Sequence, residues 1–266
     1  MSARVVRVAA RNNRAVSTPP SIAVARTLIS RARAATSEIC VHSLMADACH
    51  ELGFRHYALL HHIDPLKPRA GQVLIENYPE ELSQEFIARR FYQDDPAVHA
   101  SLRTNAAFCW SEIPDIIQLT SRHRTILDWG VRAGLSIGLT VPACIVGEWT
   151  GSCSLIGNRR SSATPDQLML AQVVGAFAFQ AARRIANGGA LTTRRRPTLN
   201  RRQLECTILA GRGKSDWEIA AILKLSPVTI THYLAEARAR YDVVTRQQLV
   251  ICALLDGQIS LAELSP

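Results

Sequence analysis

The stretch "GKSDWEIAAILKLSPVTITHYLAEARARYDV", residues 213–243, ends one short helix at Leu225-Ser226-Pro227 and starts another at once. Ser215 and Glu218 form a Ser-x-x-Glu capping box, and Ser226 with Pro227 gives a second helix start. A stop this abrupt fixes the angle between two helices. Helical spacing predicts Ile219, Ile222 and Leu223 inward on the first. On the second it predicts Val228, Ile230, Leu234 and Ala237 inward. The opposite face of that second helix carries Thr229, Thr231, His232, Ala235, Glu236 and Arg238. It is mostly small and polar, and mixed in charge. Such a face fits the major groove of double-stranded DNA, which is ~12 Å wide. The pair therefore reads as a helix-turn-helix whose second helix meets base edges.

Two further helices flank the pair. Asn200 with Gln203, and Thr245 with Gln248, are their start signals, while Gly211 and Gly257 mark helix ends. Four short helices in residues 198–266 predict a compact all-α domain. A packing module with no DNA role would show the same caps. The basic flank of Arg194, Arg195, Arg196, Arg201, Arg202, Arg212 and Lys214 argues for DNA. Thr231 and Ala235 share an outward stripe and are expected nearest the bases. Lys214, Ser226, Thr229, His232 and Arg238 complete the candidate DNA interface.

Upstream the pattern changes. Residues 23–52 are broadly helical; 57–63, 72–77 and 106–110 read as strands, with helical spacing over 78–91 and 121–134. "LSIGLTVPA" (135–143) and "GSCSLIG" (151–157) read as a strand pair. A long helix follows from Thr164, an N-cap with Pro165 at N1 and Gln167 at N3, to Asn187-Gly188-Gly189. Strands between helices predict a sheet sandwiched by helices. "GGALTTRRRPTLNRR" (188–202) has no apolar face, which places a linker at 188–197 between a domain at 22–187 and one at 198–266.

Charge supports this division. Residues 1–37 hold seven arginines and no acid, and residues 1–21 read as a basic arm without a core-forming pattern, a composition that an organellar transit peptide shares. Residues 38–187 hold 13 basic and 15 acidic side chains; residues 188–266 hold 11 and seven. A basic terminal domain points to a polyanion. Seven scattered cysteines without a Cys-x-x-Cys pair suit a reduced, cytoplasmic setting, and no apolar run reaches the ~18 residues of a membrane span.

Enzyme signals fail. "GRGKS" (211–215) resembles the end of a phosphate loop, but Ile208 stands where the first Gly belongs, on a helical segment. No metal-ligand spacing and no Gly-x-Ser-x-Gly turn occurs. Neither an enzyme nor a cofactor is expected.

Residues 198–262 resemble the DNA-binding domain of LuxR-type quorum-sensing transcription factors, on "GKSDWEIAAILKLSPVTITHYLAEARARYDVVTRQQLV". Gln203 stands where that family usually has Glu, and Thr207 where it has Leu. The resemblance implies an α+β chain. An α/β/α sandwich with a central antiparallel sheet would bind an N-acyl-homoserine lactone, and a four-helix helix-turn-helix domain would follow it. It further implies a homodimer on a palindromic site. The stretch 77–112 resembles the family's pocket segment. Tyr78 falls where a Tyr bonds a ligand carbonyl, Asp95 where an Asp accepts the ligand amide, and Trp110 where a Trp covers the lactone ring. Gly138 falls in a Gly-rich strand entry, and Ser154 on a small hydroxyl position facing the acyl chain. Leu82 replaces a usual Trp and Phe86 a usual Tyr, which leaves four readings: such a lactone held differently, a related amide, another small apolar molecule, or a domain that only dimerises or docks a protein. From the residues alone, Tyr78 also reads as a strand-end cap, Asp95 as the N-cap before Pro96, and Trp110 as plain core.

Overall fold

Alternation along one strand sorts the first domain into two faces. In β1 (His56–His61), Tyr57 and Leu59 enter a core, while Ala58 and Leu60 face the other way and line a cavity. Neighbours on a pleated sheet must follow the same parity. The computed structural model describes residues 22–157, 163–188 and 197–265. The arm at 1–21 and most of the linker lie outside them.

The remaining strands are β2 (Leu74–Glu76), β3 (Phe108–Cys109), β4 (Ile137–Ala143) and β5 (Gly151–Gly157). They form one five-stranded sheet in the order β2-β1-β5-β4-β3, with every pairing antiparallel. Registers Leu60↔Ser152, Ala58↔Ser154 and Thr140↔Ser154 place these residues side by side on one face. The opposite face, with Leu59, Leu139, Val141, Cys153 and Leu155, packs on α1 (Ile22–Ala34), α2 (Glu38–Leu52) and α7 (Pro165–Ala186). Burying a side chain such as Leu59 contributes roughly 1.5–3 kcal/mol, which is why this face determines the register. Gln167 completes the expected capping box of α7 and sends its amide to Leu52 O at 3.2 Å, tying α7 to α2.

The cavity face is covered by α3 (Glu80–Ala88), α4 (Pro96–Ser101), α5 (Ile113–Ile116) and α6 (Ser121–Arg132). The α/β/α layering follows from the alternation. Of the seven cysteines, Cys40 and Cys144 are exposed rather than packed in apolar surroundings.

The second domain has its own core around Cys206, Ile219, Ile230, Leu234, Ala237 and Leu249. Its helices are α8 (Arg201–Gly211), α9 (Asp216–Leu223), α10 (Pro227–Tyr241), α11 (Arg246–Leu255) and α12 (Leu261–Leu264). The last is a short fifth helix that the sequence reading missed, although Ser260 and Glu263 make its capping box. The boxes at Asn200, Ser215 and Thr245 and the cap at Ser226 are all present. Gly211 closes α8 within the helix, and the left-handed residue after it is Gly213 at φ 80°.

Two inward assignments are corrected. Ile222 is 52% exposed and Val228 79% exposed. The eight-residue α9 buries Ile219 and Ala220 and leaves Ile222 on its outer side. Val228 lies in the first turn of α10, ahead of Ile230, where the core begins. Gln203 and Thr207 are fully buried, yet both are satisfied. Thr207 Oγ1 donates to Gln203 O at 2.7 Å, and Gln203 Nε2 donates to Glu236 Oε2 at 3.1 Å.

Candidate ligand cavity and nucleic-acid interface

A cavity of about 820 Å³ lies between the sheet and α3, α4 and α6. All seven sequence-predicted pocket residues, Tyr78, Leu82, Phe86, Asp95, Trp110, Gly138 and Ser154, line it. They come from six segments up to 76 positions apart, brought together by the antiparallel register.

Each side chain has a local reason for its place. Trp110 follows β3 and lies flat over β4 because Gly138 has no side chain. A Cβ there would sit 2.1 Å from Trp110 Cε2. The indole Nε1 donates to Thr140 Oγ1 at 3.0 Å, and Thr140 Oγ1 meets Ser154 Oγ at 2.9 Å. This chain of hydrogen bonds fixes the ring and leaves its outer face to the cavity. Asp95 caps α4, accepting Ala97 N at 2.8 Å, so the cap reading holds while the same side chain forms cavity wall. Burial lifts its carboxyl above the usual range, opposed by the Ala97 amide. Tyr78 stacks on His56 with ring centroids 5.6 Å apart. Burial first, and the Asp95 charge second, hold its phenol well above the ordinary value, so it remains an O–H donor.

Leu82 and Phe86 form an apolar wall on α3. Phe86 packs on Trp129 at 5.8 Å and on Phe91 at 5.9 Å, and Phe91 meets Trp129 at 5.5 Å. Trp129, on α6, is a cavity residue that the sequence reading passed over. Its signal was the apolar stripe of Ile126, Trp129 and Gly130 on that helix. The reading also passed over His62 and His99, which line the cavity from the end of β1 and from α4.

In the second domain, Lys224 takes a left-handed conformation at φ 54° and ends α9, after which Ser226 caps α10. The outward face of α10 is exposed at Val228, Thr231 and His232. Several candidate side chains are already engaged. Ser226 Oγ meets Thr229 Oγ1 at 2.7 Å. Thr231 Oγ1 reaches Asp216 Oδ2 at 2.8 Å, and His232 Nε2 lies 3.1 Å from Glu236 Oε1. Arg238 donates to Val244 O at 2.8 Å, and Lys214 Nζ lies 3.5 Å from Glu218. Ala235 is half-buried on the same stripe. Arg201 and Arg202 both pair with Glu205.

The fold and these two sites define a class: a cavity-bearing sensor sandwich in one chain with a helix-turn-helix module. Comparison with known proteins identifies it further. The profile of the autoinducer binding domain matches residues 38–185, and that of the bacterial regulatory proteins of the luxR family matches 197–253. The chain belongs to the LuxR family of quorum-sensing transcriptional regulators, which are not enzymes.

The chain is 23% identical to the transcriptional activator LuxR of Aliivibrio fischeri (strain ATCC 700601 / ES114), over 77% of this chain and 81% of that one. It is 26% identical to the HTH-type protein y4qH of Sinorhizobium fredii over 70% of this chain, and spans only 57% of that relative. A solved structure of SdiA in complex with octanoyl-rac-glycerol shares the fold. Its TM-score is 0.56 at 20% identity, covering 90% of this chain and 96% of the other. Among the described residues no helix is long and apolar enough to cross a membrane.

Proposed function

We propose that this regulator senses a small, mainly apolar amide, an N-acyl-homoserine lactone or a relative of one, and answers by binding a roughly palindromic promoter site as a dimer. The observation that carries the reading is the cavity of about 820 Å³ with Tyr78, Asp95 and Trp110 grouped on its walls. A phenol held protonated donates to a carbonyl, a carboxylate accepts an amide N–H, and an indole face covers a flat ring. The ligand completes the core of the domain, and its binding raises folding stability by linkage. The exposed stripe of α10, now including Val228, meets the major groove. An apolar Val228 or Ala235 suits a thymine methyl there. SdiA, with octanoyl-rac-glycerol, supports a mixed apolar and polar ligand for this fold.

The test is a melting-temperature series on the full chain with acyl-homoserine lactones and acyl glycerols, paired with mass spectrometry of whatever co-purifies. A rise on addition of one class supports the reading. No rise with any of them, and an empty protein, would leave a domain that only dimerises or docks a protein.

A further inference from the structure

The end of the cavity farthest along the sheet from Gly138 is polar, and nothing in the family reading accounts for it. From Ile156, the register partner of Gly138, to Ser152 is four residues, roughly 13 Å of strand. Ser152 meets His62 there, with Nε2 and Oγ 2.9 Å apart. The other ring nitrogen of His62, Nδ1, is buried and has no hydrogen-bond partner. A buried polar atom left unpaired is costly, which marks it as a place for a ligand group.

A second histidine supplies the complement. Thr120 N donates to His123 Nδ1 at 3.2 Å, so His123 carries its hydrogen on Nε2. That Nε2 lies 2.9 Å from His99 Nδ1 and donates to it. His99 therefore keeps its own hydrogen on Nε2, as a donor on the cavity wall. Burial is the main cause that brings His62 down to about 4, with the charge of His61 next and that of His99 after it. His99 thus offers a donor, and His62 an unpaired ring nitrogen.

We infer that His62 and His99 form a second recognition point, selecting a signal whose chain carries a neutral hydroxyl at the end remote from its headgroup. A hydroxyl suits either tautomer of His62. When His62 Nε2 donates to Ser152, the hydroxyl donates to Nδ1 and accepts from His99. When Ser152 donates instead, the hydroxyl oxygen accepts from both rings. A plain methyl end leaves both nitrogens unpaired. This deepens the proposed ligand reading and rests on it.

The experiment is calorimetric titration of the full chain with N-decanoyl-homoserine lactone and with its omega-hydroxy counterpart. The hydroxylated probe is expected to bind about tenfold tighter, the factor of one well-made hydrogen bond. In His62→Leu, and separately in His99→Leu, the order should reverse in favour of the plain chain. Equal binding of the two probes to the unaltered protein, or a preference for the plain chain, overturns this inference and leaves the lactone reading standing. A hydroxyl preference that survives both substitutions also overturns it. Failure of both probes to bind removes the lactone reading and this inference together.

Discussion

Gly138 and Trp110 are in face-to-face contact across the cavity floor: a Cβ on Gly138 would lie 2.1 Å from Cε2 and 2.3 Å from Cδ2 of the indole. No rigid ring can yield that far in place. Gly138→Ala is expected to lift Trp110 off β4 and break its bond to Thr140. Overpacking of this kind costs about 1–3 kcal/mol. A melting curve checks the stability loss, and the same curve with ligand should show a smaller ligand-induced rise than the unaltered protein.

Asp95 both caps α4 and lines the cavity, and the two can be separated. Asp95→Ala removes the cap on Ala97 N and the cavity carboxylate together. It should cost about 1 kcal/mol of stability and abolish the ligand response. Asp95→Ser keeps a capping oxygen but withdraws the carboxylate. Melting curves should return toward the original value in the serine variant while the ligand response remains absent. A ligand response intact in both variants would remove Asp95 from recognition.

Leu82 lies on the cavity wall beside Phe86 and Trp129, where an indole donor could reach a ligand carbonyl. Leu82→Trp is expected to lower the lactone concentration needed for half-maximal reporter response about tenfold, as one added hydrogen bond to a buried carbonyl would. No gain in sensitivity would show that the headgroup sits elsewhere.

Arg201 and Arg202 share Glu205 at 2.9 and 2.8 Å, and both guanidinium groups remain on the surface. If DNA phosphates replace Glu205 as their partner, Arg202→Ala should weaken DNA binding for all sequences alike. The slope of log affinity against log salt should fall by roughly 0.9 for one lost phosphate contact. Affinities measured at several salt concentrations decide this, and an unchanged slope would place Arg202 off the DNA.

Much of this was legible in the sequence because the relevant signals are local. A cap such as Ser215 with Glu218 satisfies backbone groups within one turn, so its residues are neighbours in the chain. β5, Gly151–Gly157, falls on the stretch expected to be a strand. The pocket segment was readable only through its likeness to a family, since spacing alone left Asp95 a cap and Trp110 a core residue.

What the amino-acid order determined by itself is most of the longer helices and strands, their caps, and the split between a near-neutral and a basic module. Tertiary packing decided the rest. A cavity is a space left between elements, and no short window encodes it. His62 and Ser152 are 90 positions apart and meet only because β1 pairs with β5. Trp129 became wall, and Val228 turned outward, because burial depends on which neighbour arrives. The Thr231 hydroxyl sits against Asp216 for the same reason: α9 and α10 pack at an angle that brings them together, and helical periodicity carries no record of that angle.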